Sequence, residues 1–161
     1  GGRIGMTFCP GKCDSKAMTG AWQRDLDMDL RAVADWGASA LVTLMESFEL
    51  DLLKVPEIGR ATEAMGIDWF HLPIRDVSIP DAEFEATWVS QGQALRARLE
   101  DGQAVVVHCR GGLGRTGLIA ARLLIELGED PRDALETVRA ARPGAVETRE
   151  QEVYVLGLGG L

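Results

Sequence analysis

Apolar and polar positions along this chain follow two different periods. Consecutive apolar runs at Ala40-Leu41-Val42-Thr43-Leu44, Ile67 to Leu72 and Ala104 to His108 read as buried strands, with Ile4 to Phe8 as a short first one. Between them, apolar residues recur at helical spacing. Leu26, Leu30, Val33 and Ala34 predict a helix over 25–36, stopped by Gly37. Phe84, Trp88, Leu95 and Leu99 predict a long amphipathic helix over 81–99, stopped at Asp101-Gly102. Shorter helices are expected over 48–53, from Pro56 to near Gly66, over 116–127 ended by Gly128, from Asp130-Pro131 to Ala141, and over 148–156. The segment 73–80 reads as an irregular loop, and Cys9-Pro10-Gly11-Lys12-Cys13 as another.

Strands and helices alternate, and the connections between strands are long. That pattern predicts an α/β fold: a central, mostly parallel sheet flanked by helices on both faces. At 161 residues, with no repeat or linker, the whole span 1–161 reads as a single domain, and a monomer is favoured. Ligands on such sheets bind beyond the carboxyl ends of the strands. Asp76 and Cys109 both fall just past a predicted strand.

Charge narrows the partners. The chain has 25 acidic and 17 basic residues, net −8, and no basic stripe, so nucleic acid and anionic membranes are not expected partners. Its longest apolar run is far short of a bilayer span. Three cysteines are too few and odd in number for a disulfide framework, which points to a reducing, cytoplasmic setting. Cys9 and Cys13 lack a second Cys/His pair, so no metal is expected. They read as packed or exposed thiols, the alternative being a redox partner for oxidised Cys109. The four tryptophans, Trp22, Trp36, Trp69 and Trp88, read as packing residues.

The chemistry concentrates in His108-Cys109-Arg110-Gly111-Gly112-Leu113-Gly114-Arg115-Thr116-Gly117, between a strand and a helix. No cofactor is implied. A nucleotide-binding loop is excluded, because Gly-x4-Gly-Lys-Ser/Thr is absent. Backbone N–H groups of residues 110 to 115, the positive end of the following helix and the Arg115 guanidinium all favour an anion here. The same groups predict a Cys109 thiol with a depressed pKa. Gly111, Gly112 and Gly114 allow close approach of the backbone to a tetrahedral oxyanion, and Arg115 can hold two of its oxygens in a fork. Attack by Cys109 sulfur on phosphorus would give a cysteinyl-phosphate for water to hydrolyse. From position alone Asp76 is equally a catalytic acid or a loop-capping residue, with Asp68 and Asp81 as competitors.

The motif Val-His-Cys-Arg-Gly-Gly-Leu-Gly-Arg-Thr-Gly resembles the signature of the cysteine-based protein tyrosine phosphatase superfamily. Within it, the chain is similar to the kinase-associated type of dual-specificity enzyme. His71-Leu72-Pro73-Ile74-Arg75-Asp76 is similar to the family's general-acid segment, and Gly144-Ala145-Val146-Glu147-Thr148-x2-Gln151 to its water-orienting segment. The Cys9 to Cys13 loop is similar to the type's N-terminal loop. The likeness implies Cys109 as nucleophile, Arg115 as transition-state binder and Asp76 as general acid. It implies Thr116 as a hydrogen-bond donor to the sulfur, His108 as an orienter of the loop and Gln151 as the residue that positions water. Glu147 stands where the family often has glutamine. Arg110 is expected to line the pocket mouth and favour acidic or multiply phosphorylated substrates. Leu113 occupies the place of a second basic residue common in phosphoinositide enzymes. The resemblance thus implies a phosphoprotein phosphatase acting on phosphotyrosine and on phosphoserine or phosphothreonine. The rivals are the same chemistry on a phosphoinositide, nucleotide or RNA phosphate, and a non-catalytic phosphate-binding module.

Overall fold

The computed structural model describes residues 1–15 and 20–160. Its first strand, β1 (Arg3–Thr7), is followed by a small antiparallel hairpin of β2 (Cys13–Asp14) and β3 (Trp22–Gln23). Then come α1 (Leu26–Trp36), β4 (Ala38–Thr43), α2 (Ser47–Leu52), α3 (Ile58–Ala64) and β5 (Asp68–His71). The second half runs α4 (Ala82–Glu100), β6 (Ala104–His108), α5 (Gly114–Glu126), α6 (Pro131–Ala141) and α7 (Arg149–Leu156), closing on a 3₁₀ turn over Gly157–Gly160.

The main sheet has the order β1-β6-β4-β5, and every pairing in it is parallel. Side chains alternate across it as a strand requires. In β1, Ile4 and Met6 line a cleft with Ala120 and Leu124 of α5, whereas Gly5 lies against the Trp36 ring of α1. Helices therefore cover both faces. All of β6 is buried, which explains its uninterrupted Ala-Val-Val-Val run.

Local chemistry sets the helix ends. Asp25 and Asp81 cap α1 and α4 by accepting from Met28 N and Phe84 N. Gly37, at φ 101, closes α1. Helix α5 begins at Gly114, two residues before its expected start, because Gly117 N already donates to Leu113 O inside the loop. The two-residue strands of the hairpin carry too little pattern to be read from sequence. Phe84, Trp88, Leu95 and Leu99 are buried as the periodicity predicts.

Candidate active site

The four parallel strands end in register. Thr7, His108 and Thr43 stand side by side, with His71 beside Thr43, along the carboxyl edge of the sheet. Cys109 follows β6 at the middle of that edge and is 3% exposed. The loop from Cys109 to Leu113 then runs into the N-terminus of the 13-residue helix α5.

The carbonyls of this loop have donors outside it. Cys109 O pairs with His108 Nδ1 at 3.2 Å. Arg110 O accepts from Cys9 N at 3.1 Å and from Lys12 Nζ at 3.3 Å. Arg142 donates from Nη2 to Gly111 O at 2.8 Å and from Nε to Gly112 O at 2.6 Å. Leu113 O accepts from Gly117 N and Val146 N. In a trans peptide the carbonyl and the next N–H point in opposite directions, and no peptide bond among the described residues is cis. Turning carbonyls 109 to 112 outward therefore turns the N–H groups of Arg110, Gly111, Gly112 and Leu113 inward, as a cradle for an anion. Gly112, at φ +76, packs so closely on Thr7 that a Cβ would lie 2.5 Å from the Thr7 carbonyl. Of the six N–H groups expected to point inward, these four do so by their peptide geometry, and one of the others is taken. Gly114 N donates to the Glu147 carboxylate at 2.9 Å, which caps the start of α5.

Arg115 is buried, with a side chain 1% exposed, and its partners define its edges. Nη1 donates to Glu49 Oε2 at 2.8 Å and Ile74 O at 3.0 Å. Nη2 donates to Glu49 Oε1 at 2.9 Å and lies 3.0 Å from Asp76 Oδ1. Burial works against the guanidinium charge, but the Glu49 bonds together with the charges of Cys109, Glu49 and Asp76 outweigh it, so Arg115 is held above its ordinary pKa. No acceptor among the described residues takes the Nε–H. The Nε/Nη2 edge is thus free for a phosphoryl group once Asp76 releases Nη2. Glu49 escaped notice in the sequence. It sits in α2 between exposed Phe48 and buried Leu50, and is itself buried.

His108 is fully buried and joins a relay whose direction is fixed by the Cys109 carbonyl, which can only accept. Trp69 Nε1 can only donate, and gives its hydrogen to Thr43 Oγ1 at 2.7 Å. The Thr43 hydroxyl then donates to His108 Nε2 at 2.7 Å, which leaves the ring hydrogen on Nδ1 for Cys109 O. Burial is the main cause of a His108 pKa pulled down to about 4, so the ring is neutral at pH 7. Trp69 is therefore a hydrogen-bonding member of the site as well as a packing residue. Thr116 Oγ1 is buried and makes no hydrogen bond, so the expected bond to the Cys109 sulfur is not made.

Asp76 lies in the loop 73–80, and its side chain is half exposed. Its two competitors are occupied elsewhere: Asp68 pairs with Arg98, and Asp81 caps α4. The residue after Asp76, Val77, holds φ 51, a strained backbone for a β-branched side chain. Gln151 is buried and ties this loop down. Its Oε1 accepts from Glu147 N and Thr148 N, and its Nε2 donates to Ser78 O at 3.0 Å. One amide N–H remains. Segment 145–146 reaches the loop because Gly117 has no side chain; a Cβ there would lie 2.7 Å from Val146 N.

Arg110 is partly exposed on the N-terminal side of the loop. It pairs with Asp14 at 2.9 Å, and lines a cleft with Trp22, Leu52 and Lys54. Lys12, buried over the Trp22 ring at 3.9 Å, braces the loop from the N-terminal side. Cys9, Cys13 and Cys109 are free thiols. Burial pushes Cys9 up to about 12, which leaves it a protonated, packed side chain. No cluster of three or more metal-ligating groups occurs among the described residues.

Residues 17–129 match the family model for the DSP-PTPase phosphatase of polymorphic toxin systems. Cyclin-dependent kinase inhibitor 3 of Homo sapiens is 29% identical over 155 residues, 94% of this chain and 69% of that protein. Protein tyrosine phosphatase type IVA 3 of Mus musculus is 34% identical over 86 residues, 52% of this chain and 46% of that one. Among solved structures, kinase-associated phosphatase with serine in place of its catalytic-site cysteine superposes with a TM-score of 0.81. It is 28% identical, covering 94% of this chain and 83% of its own. Tk-PTP in its active form superposes with a TM-score of 0.75 at 30% identity, covering 99% and 93%.

Proposed function

The chain belongs to the DSP-PTPase family of protein-tyrosine and dual-specificity phosphatases, and from that premise we propose that Cys109, Arg115 and Asp76 hydrolyse phosphotyrosine and phosphoserine or phosphothreonine in proteins. The observation that carries this reading is the loop between Cys109 and Arg115. Its outward-held carbonyls support four N–H groups turned inward beside the sulfur, and the Arg115 Nε–H has no acceptor among the described residues.

In the first step the Cys109 thiolate attacks phosphorus. The S–P bond forms as the P–O bond to the leaving group breaks, and Asp76 gives its proton to the departing oxygen. The incoming phosphoryl group accepts from Arg115 Nη2 in place of Asp76, which frees the carboxyl group to meet the leaving group. In the second step Asp76 takes a proton from water, the water oxygen bonds to phosphorus, and the S–P bond breaks, which returns the Cys109 thiolate and releases inorganic phosphate. The unpaired hydroxyl of Thr116 is the donor we assign to that leaving sulfur. The one remaining N–H of Gln151 is the group we assign to the attacking water. His108 serves as a neutral anchor of the loop.

Two features favour a polypeptide substrate. Phe48, Leu52 and Val77 are large apolar residues, each more than half exposed, within three residues of Glu49 or Asp76, which contact Arg115. Arg110 already has Asp14 as counter-ion, so a second phosphate finds little unspent charge there. We propose that apolar side chains flanking the phosphorylated residue are preferred over acidic ones. The catalytic unit takes residues from Lys12 to Gln151, and its free thiols suit a reducing, cytoplasmic compartment.

The test is hydrolysis of an aryl phosphate in chelator, followed by a panel of phosphopeptides and phosphoinositides. Cys109→Ser should abolish turnover, Asp76→Asn should lower kcat with little change in affinity, and vanadate should compete. Turnover that survives Cys109→Ser would sink the mechanism, and a preference for phosphoinositides would sink the substrate class.

A further inference from the structure

The five carbonyls from Cys109 to Leu113 are not held alike. Those of Cys109, Arg110 and Leu113 lean on the neighbouring imidazole, on backbone N–H groups or on a buried lysine. Those of Gly111 and Gly112 have one side chain between them, the guanidinium of Arg142. These two residues also have the least intrinsic restraint in the loop. A Cβ on Gly111 would meet nothing within 4 Å, and Gly112 stands at φ +76.

Arg142 is built to reach them. It is the first residue after α6, and the following Pro143 forces it out of helical backbone to φ −139, ψ 96. Gly144, at φ 91, completes the turn, and Ala145 N closes it on Arg142 O at 3.0 Å. The side chain spans 30 residues of sequence back to the signature loop. Its planar fork donates to two successive carbonyls at 2.6 and 2.8 Å, which a single ammonium cannot copy.

We propose that Arg142 is a positioning residue for the phosphatase reaction: by clamping the carbonyls of Gly111 and Gly112 outward, it aims the N–H groups of Gly112 and Leu113 at the oxyanion. It touches no reacting atom and acts through those two peptides. The proposal rests on the loop being the phosphate cradle of the preceding section.

The experiment compares wild type, Arg142→Ala and Arg142→Lys in aryl phosphate turnover, vanadate inhibition and thermal melting. Loss of a single oxyanion donor in other enzymes costs about 10²- to 10³-fold. With two donors loosened rather than deleted, Arg142→Ala should lose at least ~10-fold in kcat/KM, and its vanadate inhibition constant should rise with it. Arg142→Lys, which keeps the charge but not the fork, should recover less than about threefold of that loss. In ¹⁵N spectra, tungstate should shift the Gly112 and Leu113 amides of the wild type far more than those of the variants. Full recovery in Arg142→Lys would overturn the clamp and leave only a charge effect. So would an unchanged vanadate constant in a folded Arg142→Ala. If wild type itself proves inactive, tungstate binding to Cys109→Ser with and without Arg142→Ala decides the matter: weaker binding supports the clamp and equal binding overturns it.

Discussion

Replacing Glu49 by glutamine separates what Arg115 needs for folding from what it needs for chemistry. The carboxylate and the guanidinium are 2% and 1% exposed, joined by two bonds of 2.8 and 2.9 Å. Removing one charge of such a pair strands the other in a dry site, at about 3–5 kcal/mol. Glutamine keeps one acceptor oxygen for one of the two bonds but turns an NH₂ group toward the other Nη. Arg115 retains Ile74 O and the half-exposed Asp76, so the lower end applies, about 3 kcal/mol. In a domain of this size that lowers Tm by roughly 6–12 °C. Glu49 also accepts from Glu46 N, and Glu49→Ala, which loses that α2 cap too, should fall further. Glu49 also fixes which edge of the guanidinium faces the pocket. A misplacement of about 1 Å at a reacting centre costs up to ~10²-fold, so kcat/KM should drop by one to two orders of magnitude even at temperatures where the variant is folded. The assays are scanning fluorimetry and aryl phosphate turnover, each with and without vanadate. A Glu49→Gln protein that melts within about 2 °C of wild type and turns over within threefold of it would refute the reasoning, since the buried pair would then carry neither job.

Burial of neutral His108 makes stability pH-dependent. Its ordinary pKa of 6.5 falls to about 4 in the fold, so the unfolded chain binds a proton first as pH drops. Stability should be full above pH 6.5 and fall through the window down to about 4, by up to ~3 kcal/mol; urea midpoints of wild type and His108→Gln that stay parallel across that window would contradict this. Relieving the strained φ at Val77 with Val77→Asn should raise Tm by a few degrees while lowering kcat, because the Asp76 loop loses its imposed shape; a variant that gains stability at undiminished kcat would show the strain to be idle. Aryl phosphate KM should change less than about threefold between about 20 and 500 mM salt, because the cradle acts by short-range amide dipoles rather than by a basic field; a steep rise would assign capture to long-range charge.

The sequence made the strands legible because β6 and β4 are buried on both faces and so read as unbroken apolar runs. It made Cys109 and Arg115 legible because their spacing sits inside one short loop. The supports of that loop were hidden for a common reason: each is a residue whose ordinary setting is the surface or the core. Glu49 reads as a solvated position in a short amphipathic helix, yet α2 is inverted, with Phe48 and Leu52 exposed and the carboxylate inside. Leu50 and Leu53 on the inner side were the available signal. Arg142 reads as a helix-end cation, and only its place before Pro-Gly hints that the chain turns back there. Thr43 and Trp69 read as strand packing until the parallel register sets Thr43 beside His108. A polar partner chosen by tertiary register leaves no periodicity in the chain.

These supports also bear on how an acidic protein, at net −8, would hold the dianion of the proposed reaction. Formal charges near the loop largely cancel: Arg115 against Glu49 and Asp76, and Arg110 against Asp14. The attraction that remains comes from N–H groups whose directions were set during folding, with the N-terminus of α5 behind them. Fixed dipoles need no reorganisation when charge arrives, whereas free counter-ions and mobile lysines do. A site made this way depends on its carbonyl anchors as much as on its nucleophile. Those anchors come from His108, the 9–12 loop, α5 and the segment after α6, so the cradle is complete only when both ends of the chain have docked on the sheet edge.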